Sequence, residues 1–243
     1  MRLAGRVHSA TSTRGLALDA GEERGDPSPR ELRRRAAAIA VALVPFGLAF
    51  GVLCVEAGLG WWEAVGFSAI VFTGSAQFAA VGVLGDGGTV AAAVGAGVLL
   101  NLRSLAFGLA MAPSLRGSLG FRLAASQLMI DEAMAVGTAA RGTERRRYGY
   151  LAGGLAVFAL WNLSTLAGAV LAAGAGDLVH TFGIDATIPA SFLALVWPRL
   201  RERRQLRVAV AGGLIALAVA PVAPPGVPIL LAGLGVLAGR RAR

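Results

Sequence analysis

From Ala36 to Gly239 the chain is a succession of long apolar runs separated by short polar breaks. A helix of about 20 apolar residues is long enough to cross the hydrocarbon core of a bilayer. A chain built from several such runs reads as an all-α, polytopic helical membrane protein. The low charge content agrees: 15% of residues are charged, against about 25% in soluble domains.

The runs predict 7–8 membrane segments, some broken or short. Spans are expected over 36–57, 61–84, 88–113, 121–140, 148–172 and 184–200. The Trp61-Trp62 pair and the tyrosines Tyr148 and Tyr150 mark span edges, where aromatic residues anchor at interfaces. The last apolar region, 206–239, is cut by P-V-A-P-P-G at 221–226. Its two pieces each reach only about 20 Å at ~1.5 Å per residue. They read as two short tilted spans or as a helical hairpin that does not fully cross. Residues 1–35 are polar and Arg-rich and read as a disordered cytoplasmic tail. Residues 36–239 form the transmembrane domain, and 240–243 a second short cytoplasmic tail.

All 23 basic residues are arginine. The tail 1–35, the loop 141–147, the segment 199–207 and the C-terminus hold twenty of them. Placing these four on one side needs four, then two, then two crossings, which the span assignments supply. The positive-inside rule then gives N-in and C-in. Arg116 and Arg122 fall on the opposite side in this scheme, and Arg103 falls inside a span. The net charge of +9 is thus a topology signal, and no aromatic residues interleave with the basic clusters as nucleic-acid binding would require.

Polar groups inside spans are costly and are functional candidates by default. Arg103, with Asn101, stands in the middle of V-L-L-N-L-R-S-L-A-F-G (98–108), too far from either end to reach an interface. It needs an anion. Asp131 and Glu132 sit mid-span in the fourth run, about 100° apart on a helix. Gln127, Asp131, Met134 and Thr138 share one stripe at helical spacing. One acid can pair with Arg103, leaving the other to carry a proton. In F-T-G-S-A-Q-F (72–78), Thr73 and Gln77 share a face, and Gly74 and Ser75 permit close backbone approach or a local break. Taken by itself this stretch reads as small-residue helix packing. A broken helix, exposing backbone groups to a substrate, is the alternative. Asn162, Ser164 and Thr165 are expected to bond across helices. Pro45, Gly47 and Gly51 predict a kink or hinge in the first span.

Several chemistries are excluded by what the spans lack. His8 and His180 are the only histidines, Cys54 is the only cysteine, and there is no lysine. No serine–histidine pair, no pair of mid-span aspartates on separate helices, no metal-ligand cluster and no nucleotide loop can be assembled. No enzyme activity, metal or cofactor is expected.

Five stretches in order resemble the AzlC family of branched-chain amino-acid permeases. They are P-F-G-L-A-F-G-V-L (45–53), F-T-G-S-A-Q-F-A-A-V (72–81), N-L-R-S-L-A-F-G-L-A-M-A-P (101–113), D-E-A-M-A (131–135) and G-I-D-A-T-I-P-A-S-F-L-A-L (183–195). The resemblance implies an inner-membrane transporter, usually an exporter of leucine, isoleucine or valine. It also implies a small membrane partner of the AzlD type. Thr73 stands where the family pattern has Ala, and Ser104 where it has His, which removes a titratable group beside Arg103. Residues and resemblance together predict a proton-coupled secondary carrier. Arg103, Asn101, Asp131, Glu132, Gln77, Thr73, Gly74 and Ser75 are its substrate-binding or coupling candidates. A non-transporting scaffold subunit and a small-solute channel are the alternatives.

Overall fold

In the computed structural model, residues 25–174, 193, 196–197, 199–224 and 226–239 are described. They contain helices and no strand. In order these are α1 (Pro29–Ala42), α2 (Val44–Glu56), α3 (Trp61–Ile70), α4 (Gly74–Gly85), α5 (Val90–Asn101), α6 (Arg103–Met111), α7 (Leu119–Gln127), α8 (Asp131–Thr138), α9 (Thr143–Gly174), α10 (Arg203–Val219) and α11 (Val227–Ala232), continued by a 3-10 helix, Gly233–Gly239. The predicted span 184–200 and the motif 183–195 lie mostly outside the described residues.

Helix α9 is the post of the structure. Its 32 residues rise ~48 Å at ~1.5 Å per residue, more than a bilayer core. Glycines let other helices close onto it. A Cβ on Gly51 would run into the Thr165 carbonyl, one on Gly168 into the Leu48 carbonyl, and one on Gly149 into the Val136 carbonyl. The face of the molecule at the Thr143 end of α9 is the near face, and that at Gly174 the far face.

α1 and α2 form one 28-residue apolar span with a single non-helical residue at Leu43. It starts at the near face, where Leu32 and Ala36 pack on Val136 and Ala140, and climbs along α9 to the far face. The expected disordered tail does not extend to residue 35. Ser28 and Glu31 close a capping box, with Ser28 Oγ accepting from the Glu31 N–H and Glu31 Oε2 accepting from the Ser28 N–H. Pro29 is preorganised for the first turn, so the helix begins seven residues before the apolar run. α5 and α6 form the second crossing, bent by 43° around Leu102. It leaves the far face after the Gly87–Gly88 turn and reaches the near face at Met111, where Arg146 meets Ala110 and Met111.

The runs 61–84 and 121–140, expected as crossings, are helical hairpins instead. α3 begins four residues after Ala57, and Gly85 at the end of α4 lies against Ala57 again. Both ends are therefore at the far face. Likewise Phe121 of α7 lies under the Arg147 guanidinium, and Gly137 of α8 packs on Tyr150 and the Arg146 carbonyl. Both ends of that hairpin are at the near face. Helices of 8–12 residues reach only ~12–18 Å, so each hairpin enters and returns. The two tips, Val71–Thr73 and Leu128–Ile130, meet in the interior.

This arrangement corrects the arginine topology. Arg147 Nη1 donates to the Arg116 carbonyl at 3.4 Å, which puts Arg116 and Arg122 on the same face as the loop 141–147. The stripe Gln127–Asp131–Met134–Thr138 does not exist, because the helix breaks between its first two members. In the last apolar region, α10 and α11 form a hairpin. Its turn sits at the far face with Gly226 against Val83 and Ala92, and Arg204 Nε donates to the Gly239 carbonyl at 3.0 Å across its open end.

Candidate functional site

Breaking a helix inside an apolar interior frees carbonyls at one end and N–H groups at the other. The two ends are treated differently here. The freed carbonyls of α3 are capped by glutamines. Gln77 Nε2 donates to the Ser68 carbonyl at 3.0 Å. Gln127 Nε2, from the opposite hairpin, donates to those of Ala69 (2.7 Å) and Ile70 (2.9 Å). Gln77 is fully buried, and its Oε1 accepts from Trp161 Nε1 at 3.0 Å, which ties the hairpin to α9. Ser68 Oγ and Thr165 Oγ1, 3.4 Å apart, add a second tie. At the other hairpin, Tyr150 of α9 donates to the Ala125 carbonyl at 2.7 Å.

The N–H ends carry no such caps. Four helix starts at the membrane faces are capped by side chains: Ser28 for α1, Thr89 for α5, Ser118 for α7, and Glu63 reaching back to the Gly60 N–H at α3. Thr73 before α4 and Ile130 before α8 are extended and make no side-chain cap. Two helix N-termini, each a partial positive charge without an N-cap side chain, thus open into the interior.

They open into one cavity of about 110 Å3, lined by Thr73, Gly74 and Ser75 of the first tip and Ile130, Asp131 and Glu132 of the second. Arg103 enters from the bend of the second crossing. Its Nη2 donates to Ser75 Oγ at 3.0 Å and lies 3.1 Å from Asp131 Oδ2. Asp131 is the first residue of α8, where the helix dipole favours a carboxylate. Both charged side chains keep 44–45% of their surface open, so the pair is not sealed and its guanidinium has donors to spare. Phe46, Phe72, Phe78, Val157 and Trp161 form the apolar wall, with Phe72 edge-on to Phe158 at 4.9 Å. Leu43, at the break between α1 and α2, also reaches this cavity.

Six of the eight predicted binding or coupling residues therefore line one space: Arg103, Asp131, Glu132, Thr73, Gly74 and Ser75. Gln77 does not; it caps α3 behind the wall. Asn101 does not either. Its Oδ1 accepts from Ser104 Oγ at 2.6 Å, and it borders an apolar groove of about 280 Å3 between α3, α4 and α5. Gly47 and Gly51 are close-packing points against α9, and Pro45 is the second residue of α2 after the break. Of the polar trio in α9, Thr165 alone bonds across helices among the described residues; Asn162 and Ser164 donate to their own helix, at Phe158 and Leu160. The sequence reading missed Trp161, whose signal was available: a tryptophan far from any interface, with an N–H to satisfy. It also missed the capping roles of Gln127 and Tyr150.

Comparison with known proteins points to a membrane protein. A membrane protein of Archaeoglobus fulgidus, named only "Uncharacterized membrane protein", is 30% identical over 184 residues, covering 74% of this chain and 79% of that one. The inner membrane protein YgaZ of Escherichia coli K12 is 26% identical over 186 residues, covering 71% and 74%. No solved structure matches. The family model described as AzlC protein matches residues 38–174, the stretch that holds the two hairpins whose tips form the cavity, most of the two crossings and α9, and the chain belongs to the AzlC family of membrane proteins.

Proposed function

We propose that the chain is a transporter, an exporter of branched-chain or related hydrophobic amino acids, working as a proton-coupled secondary carrier in the bacterial inner membrane. The observation that carries this reading is the convergence of two uncapped helix N-termini and the Arg103–Asp131 pair on one small interior cavity. A zwitterion presents a carboxylate and an ammonium. The carboxylate matches Arg103 and the free N–H groups at Gly74 and Ser75; the ammonium matches Asp131 or Glu132; a branched side chain matches the Phe and Val wall. Whichever acid the ammonium leaves free carries the proton. Discontinuous helices meeting at mid-membrane are how many carriers hold charged solutes without a permanent channel.

An N-in, C-in orientation follows from the same arginine asymmetry, and the inner-membrane location agrees with the name of the Escherichia coli relative. A small AzlD-type membrane subunit is the expected partner, and no enzymatic step or cofactor is invoked. Radiolabelled leucine or isoleucine flux in proteoliposomes, with and without that subunit and an imposed pH gradient, tests the reading. Arg103→Ala should abolish flux while the protein still inserts; normal flux by a well-expressed variant refutes it. The scaffold reading has its own observation, the ion pair itself. Exchanging Arg103 and Asp131 separates the two, since recovered stability without recovered flux favours the scaffold.

A further inference from the structure

A second cavity, of about 410 Å3, lies between α6 and α7 at the near face, apart from the central site. This volume falls within the ~300–1,000 Å3 of small-molecule sites. Gly108 and Ala112 form one wall, Ser126 and Met129 the other, and Arg116 and Arg122 border it. No carboxylate lines it, and among the described residues neither arginine forms an ion pair. Arg147 holds the Arg116 carbonyl and stacks 4.2 Å over Phe121, so the loop bearing Arg116 is fixed and a third positive charge stands nearby.

The walls continue into apolar ridges. On α6, Leu105 and Leu109 share the face of Gly108 and Ala112 at i, i+3, i+4, i+7 spacing; on α7, Leu119 and Leu123 share the face of Arg122 and Ser126. These leucines are 62–80% exposed. A cationic hollow flanked by exposed leucines, at the arginine-rich face of a membrane protein, is complementary to an amphiphile with an anionic head. An amino acid fits less well, because its ammonium would find no acid there. Free phosphate would leave the leucine ridges unused.

We propose that this cavity binds the phosphate of an anionic phospholipid, with the headgroup between Arg116 and Arg122 and the acyl chains along the leucine ridges. The assignment does not rest on the transport reading. Purified full-length protein, equilibrated in bilayers of neutral lipid with a minor fraction of phosphatidylglycerol, should retain phosphatidylglycerol on native mass spectrometry. At about 1 kcal/mol per arginine near a charged surface, the variant with Arg116→Ala and Arg122→Ala should retain it roughly 25-fold less. Replacing both by Lys should restore most of the binding. Removing Arg33 and Arg34, on the same face but away from the cavity, should change little. An equal loss from Arg33→Ala with Arg34→Ala means diffuse surface charge and overturns the site. Displacement by millimolar inorganic phosphate or by leucine assigns the hollow to a soluble anion or to the transported solute, and overturns the lipid.

Discussion

Replacing Gln127 by Leu roughly keeps the side-chain volume and removes the hydrogen bonds by which one hairpin tip caps the other. Gln127 Nε2 serves the Ala69 carbonyl at 2.7 Å and the Ile70 carbonyl at 2.9 Å. Both belong to the last turn of α3, whose helix stops at Ile70, so no later N–H in that helix replaces the donor. An unsatisfied buried acceptor costs about 1–3 kcal/mol, and more where no water can enter. The Ala69 bond is part-buried and the Ile70 bond more exposed, which puts the second at the low end. The sum is a loss of about 2–4 kcal/mol, measured as the shift in unfolding free energy of purified protein titrated with denaturant in detergent. The neighbouring Ser126→Ala removes only a hydroxyl bonded to its own helix at Leu123 and should stay within ~0.5 kcal/mol. A Gln127→Leu loss under ~0.5 kcal/mol, or one matched by Ser126→Ala, would refute the claim that the glutamines hold the tips together.

Gly51→Leu should prevent α2 from closing on α9, since even a Cβ collides with the Thr165 carbonyl; a loss above ~3 kcal/mol, or no folded protein by size-exclusion chromatography, is expected from such overpacking. Trp161→Phe removes the donor to Gln77 Oε1 but keeps the ring, and should cost about 1–2 kcal/mol in the same titration, with no further loss when Gln77→Leu is added beyond that of Gln77→Leu alone. The topology is testable with single cysteines, since native Cys54 is buried. Arg116→Cys and Arg147→Cys should both react with a membrane-impermeant maleimide from the same side of the membrane, and Asp86→Cys from the other.

Much of the site was legible in the residues. Arg103, Asp131, Glu132 and the Thr73–Ser75 stretch are conspicuous because charge and backbone breaks are costly in hydrocarbon, and all converge on the central cavity. What misled was the helical wheel. A stripe from Gln127 to Thr138 presumes an unbroken helix, yet L-M-I at 128–130 carries no Gly or Pro to announce the break. The break is set by long-range contacts, Tyr150 on the Ala125 carbonyl and Gln127 on α3, which no local pattern records. The same holds for Gln77. Its polarity in an apolar run was visible, but whether it faced a solute or capped a helix depended on where Trp161 and Ser68 came to lie.

Direction was the hardest property to read. Two apolar half-length helices joined by a few residues have the length and hydropathy of one crossing, so the runs 61–84 and 121–140 look like spans whether they continue or turn back. Parity concealed the difference. Four crossings before the loop 141–147 and the two actually present both return that loop to the side of the tail, so the arginine count is satisfied either way. The discriminating signal lay in the two arginines left on the wrong side, Arg116 and Arg122. Folding the run 61–84 back as a hairpin brings them to the near face, and then every arginine between residues 25 and 174 except Arg103 lies there. Glu56, Glu63 and Asp86 mark the far face. The charge asymmetry of the folded chain is thus sharper than that of the all-crossing topology, and an arginine that breaks the positive-inside pattern beside a half-length helix is a readable sign that the run does not cross.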